Sequence, residues 1–347
     1  MRVDEFDFEL PDELIAQTPL QQRDHSRLLV VHRDTAVLED RSFPDIMDYL
    51  RPEDVLVLNN SRVIPARLFG RNSRGGQSGR QQPGLVEILL LRPFGAGQWE
   101  VLVKPGKRAR PGAEIVFSPL LSCKVLDVTK SGGRLVEFSF AGDFEEILAQ
   151  LGETPLPPYI HAKLDDPERY QTVYARESGS VAAPTAGLHF TPELLGRIEN
   201  LGVAVVPLTL HVGLGTFRPV KVDKVEDHVM HEEYYELTEE NARIINDRLR
   251  SGGRVFAVGT TTVRVLETLS DGQGQVRPGS GWTDIFIYPG CRFNVVDVLL
   301  TNFHLPKSSL LMLVSAFAGQ ETIKTAYEHA VAEKYRFFSF GDAMLLV

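Results

Sequence analysis

The stretch Val55-Leu56-Val57-Leu58-Asn59-Asn60-Ser61-Arg62 places a continuous apolar run directly before a polar turn. Such a run predicts a buried strand over residues 54–58. Residues 203–209 and 254–258 are also strand-like, and each run leads into a turn that contains glycine. Helical signatures cover residues 44–50, 191–199, 239–249, 262–269 and 321–333, and a further helix is expected to begin near Ser308. Alternating strands and helices predict an α/β domain.

The pattern changes between residues 62 and 152. Six short strand-like runs follow one another with no helix between them, separated by Gly, Pro and Ser, at residues 63–69, 85–91, 99–103, 114–117, 122–128 and 134–140. This pattern is typical of a small closed barrel. The sequence therefore predicts an α/β main domain built from both chain ends (residues 1–61 and 153–347), with an inserted all-β barrel-like domain (residues 62–152).

Length and composition fit this division. The 347 residues are 43% hydrophobic, which is enough for about two domains with complete cores. Cys123 and Cys291 lie far apart, which excludes a disulfide framework and a zinc ribbon and favours a reducing compartment. The acidic N-terminus lacks the apolar region of a signal peptide, and the apolar run at 310–319 is too short to cross a bilayer. We expect a cytoplasmic protein that does not contact a membrane.

Charge is distributed unevenly. The net charge is −9, yet residues 62–110 contain ten basic residues against Glu87 and Glu100 only, so this window carries +8 and the rest of the chain −17. The basic residues are Arg62, Arg67, Arg71, Arg74, Arg80, Arg92, Lys104, Lys107, Arg108 and Arg110. A solvated basic face and a polyanion-binding surface are both compatible with this pattern.

Polar turns follow several predicted strands, where α/β folds place their ligands. They are Asn59-Asn60-Ser61-Arg62, Pro184-Thr185-Ala186-Gly187-Leu188-His189-Phe190, His211-Val212-Gly213-Leu214-Gly215-Thr216-Phe217-Arg218, Val258-Gly259-Thr260-Thr261-Thr262 and Asn302-Phe303-His304-Leu305-Pro306-Lys307-Ser308. The segment at 259–262 suits a carboxylate or phosphate at a helix N-terminus, and plain capping by threonine is the alternative. Gly213-Leu214-Gly215 lacks the third glycine of a dinucleotide fingerprint, and no P-loop is present.

Three of the nine histidines, His189, His211 and His304, lie in loops bounded by glycine or proline at element boundaries, where functional groups concentrate. His228 and His231, beside Glu232 and Glu233, suggest a metal site, but their spacing misses the His-Glu-x-x-His pattern. We therefore expect no metal.

These motifs resemble the S-adenosylmethionine:tRNA ribosyltransferase-isomerases of queuosine biosynthesis. The similarity includes Asn60-Ser61-Arg62-Val63-Ile64-Pro65-Ala66-Arg67-Leu68 and Ala183-Pro184-Thr185-Ala186-Gly187-Leu188-His189-Phe190-Thr191, and continues through residues 211–220, 228–237, 258–267 and 283–319. Cys291 stands where the family often carries an aromatic residue, and the loop at 71–84 is long and rich in glycine. Neither departure touches the polar motif groups.

The resemblance implies a reaction on tRNA without a bound cofactor. Members of the family transfer the ribosyl part of the co-substrate S-adenosylmethionine to 7-aminomethyl-7-deazaguanine at the wobble position. They isomerise it to an epoxycyclopentanediol, which gives epoxyqueuosine and releases adenine and methionine. The fold implied is an α/β domain with an inserted β barrel, and we expect a monomer.

This chemistry needs a base for the ribose C5′–H, which the sulfonium acidifies, and an acid for the departing adenine. We assign these roles to His189, His211 and His304 as a group, since histidine is the commonest proton carrier. The donor carboxylate fits Gly259, Thr260, Thr261 and Thr262, with Arg264 or Lys307 nearby. Phe190, Phe217 or Phe303 would stack on adenine or on the flipped base. The remaining predicted substrate contacts are Ser61, Arg62, Thr185, Gly187, Gly213, Gly215, Thr216, His231, Tyr288, Asn302 and Ser308.

The basic stretch at 62–110 would then follow anticodon-stem phosphates, while unstacked loop bases determine which tRNA is chosen. Three other functions compete with this one. A methyltransferase would leave the adenosine of the donor intact, a non-catalytic RNA-binding module would consume no S-adenosylmethionine, and a histidine-metal hydrolase would be sensitive to chelators.

Overall fold

The computed structural model describes residues 1–73, 84–95, 97–129, 132–213 and 220–347. The chain divides into two compact units, one formed by Met1–Arg62 with Pro157–Val347 and the other by Val63–Leu156. The first unit is α/β, and the second is a closed all-β barrel. The predicted fold class is confirmed.

The strands, in chain order, are β1 (Arg27–Val31), β2 (Leu38–Ser42), β3 (Val55–Asn59), β4 (Ser61–Val63), β5 (Arg67–Asn72), β6 (Leu85–Gly95), β7 (Gln98–Lys104), β8 (Glu114–Ser118), β9 (Leu121–Val128), β10 (Arg134–Phe140), β11 (Glu177–Ser180), β12 (Ala204–Leu210), β13 (Glu233–Leu237), β14 (Val255–Val258), β15 (Gly279–Thr283), β16 (Val298–Asn302) and β17 (Ala343–Leu346). The α-helices are α1 (Phe144–Leu151), α2 (Pro192–Asn200), α3 (Glu239–Arg250), α4 (Thr260–Thr268), α5 (Ser309–Ala318) and α6 (Gln320–Ala332).

Within the described ranges, nine strands form the sheet of the α/β unit in the order β15-β13-β12-β3-β14-β16-β17-β1-β2. Strand β3 pairs in parallel with β12 and with β14, and β14 pairs in parallel with β16. The carboxyl ends of these four neighbouring strands therefore lie at one edge of the sheet. Ligands of open α/β sheets bind at that edge.

Both faces of this sheet are buried, which is why its central strands are apolar at nearly every position. In β3, Val55 and Val57 belong to the core on one face, and Leu56 and Leu58 to the core on the other. Helices α3, α4, α5 and α6 cover the first face, and α2 and the 3-10 helix Phe43–Tyr49 cover the second. The last segment was predicted as a helix, and its short length and Pro44 near its start fit a 3-10 turn.

The helices of the α/β unit begin at different kinds of residue. Thr191, Thr238 and Ser308 cap α2, α3 and α5, each accepting a bond from a backbone N–H of the first turn. Helix α4 begins at Thr260, two residues before its predicted start, and its N-cap is Gly259, which has no side chain to offer. This difference leaves the first amides of α4 without a side-chain cap.

The second unit closes a barrel in the order β10-β7-β6-β5-β8-β9, followed by α1. Alternate residues of β6 and β9, among them Val86, Ile88, Cys123 and Val125, point inward and are fully buried. Burial raises the pKa of the Cys123 thiol to about 12, so it is an inert core residue.

Candidate functional site

A cavity that is partly open to solvent lies at the carboxyl edge of the four parallel strands. Its described lining comes from the turns after β12, β14 and β16, from the 183–186 segment and from the loop at 338–339: Tyr159, Ala183, Pro184, Thr185, Ala186, Val212, Gly259, Thr260, Thr261, Thr301, Asn302, Phe303, His304, Leu305, Ser308, Leu310, Phe338 and Ser339. No Asp, Glu, Lys or Arg is among these lining residues.

The N-terminus of α4 opens on this cavity. Gly259 has a φ of 86°, a conformation that favours glycine. The backbone N–H groups of Thr260 and Thr261 donate to no acceptor in the described part of the chain, whereas that of Thr262 donates to the Gly259 carbonyl at 3.1 Å. Unpartnered amides and the positive end of the helix dipole together suit an anionic group.

Asn302, the last residue of β16, is 2% exposed and lines the same cavity. Its Nδ2 donates to the Phe338 carbonyl at 3.0 Å and lies 3.3 Å from Nε2 of His189. Its Oδ1 is buried and accepts no hydrogen bond from the described residues. A buried acceptor without a partner is uncommon and marks a place where a ligand group could bind.

The backbone that meets Asn302 is unusual as well. Phe338 has a φ of 69°, which is rare for a residue with a side chain. Its N–H donates to the Phe303 carbonyl at 3.1 Å, and its carbonyl accepts from Gly341 N–H at 2.9 Å as well as from Asn302. Conformations of this kind concentrate at functional sites.

His189 uses both ring nitrogens. Nδ1 lies 2.8 Å from the Ser26 hydroxyl, Nε2 faces Asn302, and the ring stacks on Phe43. Burial lowers the pKa of His189 to about 4, so the imidazole is neutral at physiological pH.

His304 lines the cavity directly. Its Nε2 lies 2.8 Å from the Thr301 hydroxyl, and its backbone N–H donates to the Tyr327 hydroxyl at 2.8 Å. Nδ1 has no hydrogen-bond partner among the described residues. Burial lowers the pKa of His304 to about 3, which keeps this ring neutral too.

His211 follows β12, immediately before the cavity residue Val212. Its ring stacks on Tyr234 with centroids 5.9 Å apart, and its Nδ1 is buried without a partner in the described chain. Burial also lowers the pKa of His211. Two of the three predicted histidines, His189 and His304, are thus linked to the cavity through Asn302 or directly, and His211 lies one residue from it.

Arg264 and Glu233 form a buried ion pair, with side-chain exposures of 3% and 4%. The guanidinium of Arg264 also points to the carbonyls of Ile285 and Thr283, and the other oxygen of Glu233 accepts from the Gly213 N–H at 2.7 Å. The Arg264 charge is therefore neutralised by Glu233, and this pair holds the backbone just beyond His211 and Val212. Arg264 was predicted to lie near a donor carboxylate, and it is not among the residues that line the cavity.

The other cation of that prediction, Lys307, forms an ion pair with Asp7 at 2.7 Å and does not line the cavity either. Ser308 lines the cavity, and its hydroxyl caps α5.

The two predicted stacking rings in the described residues are fully buried. The ring of Phe190 packs on Phe43, and that of Phe303 packs among Tyr327, Tyr335 and Phe337. The structure thus places both predicted stacking rings in the hydrophobic core, and of the two only Phe303 also borders the described cavity.

The remaining predicted contacts are scattered. Ser61 is buried and its hydroxyl has no partner in the described chain, and Arg62 is ion-paired with Glu168. Gly187 belongs to the 3-10 helix Thr185–His189, where an added Cβ would meet the Tyr174 hydroxyl at 2.0 Å. Thr262 is buried and donates to the Val258 carbonyl, His231 is exposed, and Tyr288 packs on Phe286.

Gly215, Thr216 and Phe217, with Arg74, Arg80 and Arg218, lie outside the described residues.

Sequence reasoning missed several cavity residues, notably Tyr159, Ser339 and Phe338. Tyr159 and Ser339 share a hydrogen bond of 2.7 Å across 180 positions of sequence. Sequence reasoning names Glu233 only as a neighbour of His231. The apolar residues around Glu233 and around Arg264 are the signal that could have predicted a buried ion pair between them.

Exposed basic residues of the barrel unit gather at one of its ends. This basic end consists of Arg71, Lys104, Lys107, Arg108 and Arg110. Register places Arg71 opposite Leu85 and Lys104 opposite Glu87, and the Arg108 guanidinium donates to the Leu85 carbonyl at 3.0 Å. The two acids of the basic window form ion pairs with other residues of that window, Glu87 with Arg67 and Glu100 with Arg92. The exposed Glu114 also lies at this end, where it accepts from the Ser73 hydroxyl at 3.2 Å.

Comparison with known proteins identifies the family. The family model described as queuosine biosynthesis protein matches residues 3–346. The chain belongs to this family. Curated relatives named S-adenosylmethionine:tRNA ribosyltransferase-isomerase, from Pelotomaculum thermopropionicum and Desulforamulus reducens, are each 58% identical over 348 residues and are covered completely, as is this chain.

A crystal structure of S-adenosylmethionine tRNA ribosyltransferase from Thermotoga maritima is similar as well. It is 39% identical, covers 99% of this chain and 100% of its own, and superposes with a TM-score of 0.56. Members of this family are enzymes, and this chain is a tRNA ribosyltransferase-isomerase of queuosine biosynthesis. None of the helices in the described ranges is long and apolar enough to span a membrane.

Proposed function

We propose that this enzyme transfers the ribosyl group of S-adenosylmethionine to 7-aminomethyl-7-deazaguanine at the wobble position of tRNA. It isomerises that group to the epoxycyclopentanediol of epoxyqueuosine and releases adenine and methionine. The observation that supports this most directly is the cavity at the carboxyl edge, where the free amides of α4, the unpartnered Oδ1 of Asn302 and the ring of His304 meet in one place.

The uncharged lining suits a donor that brings its own charges. A carboxylate bound at Thr260 and Thr261 would receive two backbone N–H groups and the positive end of the α4 dipole. No lysine or arginine is needed there, which is consistent with Arg264 and Lys307 being paired with Glu233 and Asp7.

His304 is the proposed proton carrier at the cavity. Its neutral ring is in the form that a base requires, and Nδ1 is not engaged by the described residues. In the proposed sequence Nδ1 accepts the C5′ proton that the sulfonium acidifies. The electron pair of the C5′–H bond stays on C5′, next to the sulfonium, as an ylide. When the glycosidic bond breaks, its electron pair leaves with adenine, and the imidazolium gives its proton to a ring nitrogen of that base. His211, one residue from Val212, is the second candidate for these transfers.

The basic end of the barrel unit is proposed to bind tRNA phosphates. Such contacts supply affinity without reading sequence, and the choice of tRNA would come from bases of the anticodon loop. We further propose that the enzyme acts as a cytoplasmic monomer and needs neither metal nor bound cofactor.

The test is mass spectrometry of tRNA bearing the deazaguanine precursor after incubation with enzyme and S-adenosylmethionine, with free adenine measured in parallel. We expect addition of the epoxycyclopentanediol group and one adenine released for each modified tRNA. Transfer of a methyl group with no adenine would indicate a methyltransferase. Binding of tRNA without consumption of S-adenosylmethionine would indicate an RNA-binding module, and loss of turnover with chelators a metal enzyme.

A further inference from the structure

We infer that the side chain of Asn302 binds the α-ammonium group of the donor's amino-acid end, and that His189 is a positioning residue that orients Asn302. This inference rests on the proposed function, since it assigns parts of the same donor. It changes the role of His189 from proton carrier to hydrogen-bond acceptor.

The orientation of the Asn302 amide is determined by the Phe338 carbonyl. A carbonyl oxygen can only accept, so the Asn302 atom 3.0 Å from it must be the Nδ2 donor. The Phe338 carbonyl is itself held in place, since it also accepts from Gly341 N–H and the φ of 69° at Phe338 directs it. Oδ1 is therefore the side-chain atom left for a ligand, and it can accept an N–H.

The same geometry determines the tautomer of His189. Nε2 lies 3.3 Å from the Nδ2 donor of Asn302 and so acts as an acceptor, which leaves the ring proton on Nδ1, facing Ser26 Oγ at 2.8 Å. A proton added at Nε2 would place two hydrogen-bond donors, this N–H and the Asn302 Nδ2–H, against each other, which is unfavourable. Burial is the main cause that keeps this ring neutral; Arg336 and Arg23 act in the same direction, and Asp342, which is ion-paired with Arg336, opposes them.

The ends of the neighbouring strands β14 and β16 then offer one group for each charge of an α-amino acid, the carboxylate and the ammonium. The Gly259 N–H donates to the Leu300 carbonyl at 2.7 Å, so the turn after β14 lies beside the end of β16. The amides of Thr260 and Thr261 suit the carboxylate, and Oδ1 of Asn302, two residues beyond Leu300, suits the ammonium. No carboxylate lines the described cavity, and Oδ1 of Asn302 is a buried acceptor there without a partner, so we assign this cation to it.

The first experiment measures binding alone, by calorimetry with two probes. S-adenosylhomocysteine carries the amino-acid end, and 5′-methylthioadenosine lacks it. We expect Asn302→Ala to weaken S-adenosylhomocysteine binding by about 10- to 100-fold, the range for a hydrogen bond to a charged group, and to leave 5′-methylthioadenosine binding within about twofold. Should 5′-methylthioadenosine bind the wild type too weakly to measure, competition by L-methionine, which has the amino-acid end alone, against S-adenosylhomocysteine takes its place. Weaker competition in Asn302→Ala supports the inference, and unchanged competition overturns it.

Equal weakening of both probes would place Asn302 at the nucleoside and overturn the assignment, as would unchanged binding of S-adenosylhomocysteine. Because this measurement needs no turnover, it is separate from the proposed reaction. If the wild type releases no adenine, the proposed function fails whatever the binding result.

The second experiment concerns His189. Glutamine can place an acceptor oxygen near the position of Nε2, and leucine cannot. We expect His189→Leu to raise KM for S-adenosylmethionine about tenfold or more with a smaller change in kcat, and His189→Gln to rescue most of that loss. A proton carrier would behave differently, since His189→Gln would then lower kcat by about 10²- to 10⁴-fold. That outcome would overturn the positioning role, and far-UV circular dichroism of both variants shows that they fold.

Discussion

The cavity at the carboxyl edge of the sheet and the basic end of the barrel unit are two polar regions of different kinds. In the cavity the polar groups are buried, uncharged and held by specific partners, as Asn302 is by Phe338. At the basic end five lysines and arginines are exposed and lie on strand ends and turns. Buried groups of fixed geometry suit chemistry on one defined donor, whereas exposed surface charges suit attachment to a polyanion.

The two regions should therefore respond differently to substitution. Substitutions in the cavity should each impair one step, either donor binding or proton transfer. Their effects should be large, because no neighbouring group can take over the lost contact. Substitutions at the basic end should act in small increments that depend on salt, because exposed charges are screened and share the work.

The largest effect is expected at His304. Replacing it with glutamine should lower the rate of adenine release by about 10²- to 10⁴-fold, because a positioned proton carrier is lost. Binding of S-adenosylhomocysteine should change little, which calorimetry can check. His161→Gln, which alters an exposed histidine of the same unit, is the control and should turn over normally. A His304→Gln enzyme with near-normal turnover would remove His304 from the mechanism.

The buried pair Arg264–Glu233 should give the next largest effect. Glu233→Leu leaves the Arg264 charge buried without its partner, so the free energy of unfolding should fall by about 3–5 kcal/mol in urea denaturation. Replacing Arg264 with methionine in the same chain should restore part of this loss.

Asp247 of α3 provides the matched control, since it forms exposed ion pairs with Arg243, at 3.7 Å, and with Arg250. Asp247→Ala removes both pairs and should cost no more than about 1 kcal/mol. If the free energy of unfolding falls equally in Glu233→Leu and Asp247→Ala, burial does not make the Arg264–Glu233 pair more important to stability than an exposed pair.

The sequence predicts those features of the two regions that depend on residues close together in the chain, and it fails for contacts between residues far apart in the chain. The buried strands β3 and β14 were predicted, because an apolar run is a local signal. The turns after β3, β12, β14 and β16 were predicted to carry functional groups for the same reason, and the structure brings the last three to one cavity. The strand order of the barrel depends on pairings that a single sequence does not encode locally.

The details of the cavity could not be predicted in this way. The partner of Asn302 is a carbonyl 36 positions away, and it is available because Phe338 adopts a left-handed conformation. Arg264 was predicted to face a ligand because it follows a threonine-rich turn, and only the fold shows that its charge is neutralised by Glu233. Phe190 and Phe303 were predicted as stacking rings from their place in polar motifs, but an aromatic residue in a motif can equally be part of the core.

The two buried histidines at the cavity should make the stability of the protein depend on pH. Their folded-state pKa values, about 4 for His189 and about 3 for His304, lie below the ordinary value near 6.5. The unfolded chain therefore binds more protons below pH 6.5, and the free energy of unfolding falls as pH drops from 6.5 towards 4. Each histidine should contribute about 2 kcal/mol of loss between pH 7.5 and pH 5.

Urea titrations at these two pH values measure this loss, and His304→Gln should reduce it by about 2 kcal/mol. Glu39 titrates at lower pH, since hydrogen bonds from Arg41 and His32 lower its pKa to about 2, and so it does not enter this window. An unchanged pH dependence in His304→Gln would contradict the buried, neutral state of that ring.

The smallest effect is expected at the basic end of the barrel. Reversing Lys107 and Arg110 to glutamate should weaken tRNA binding by roughly tenfold at low salt. The plot of log affinity against log salt should also flatten, by about 0.7–0.9 for each phosphate that the variant no longer neutralises. Filter binding at several salt concentrations measures both quantities.

Reversal of Arg243, an exposed arginine in α3 of the other unit, is the control for net charge. If it flattens the salt dependence as much as the barrel substitutions do, the long-range field of the whole protein governs binding, and the basic end is not a contact surface. If only the barrel variant changes the slope, while its binding of S-adenosylhomocysteine stays normal, attachment to RNA and recognition of the donor are separate functions of the two units.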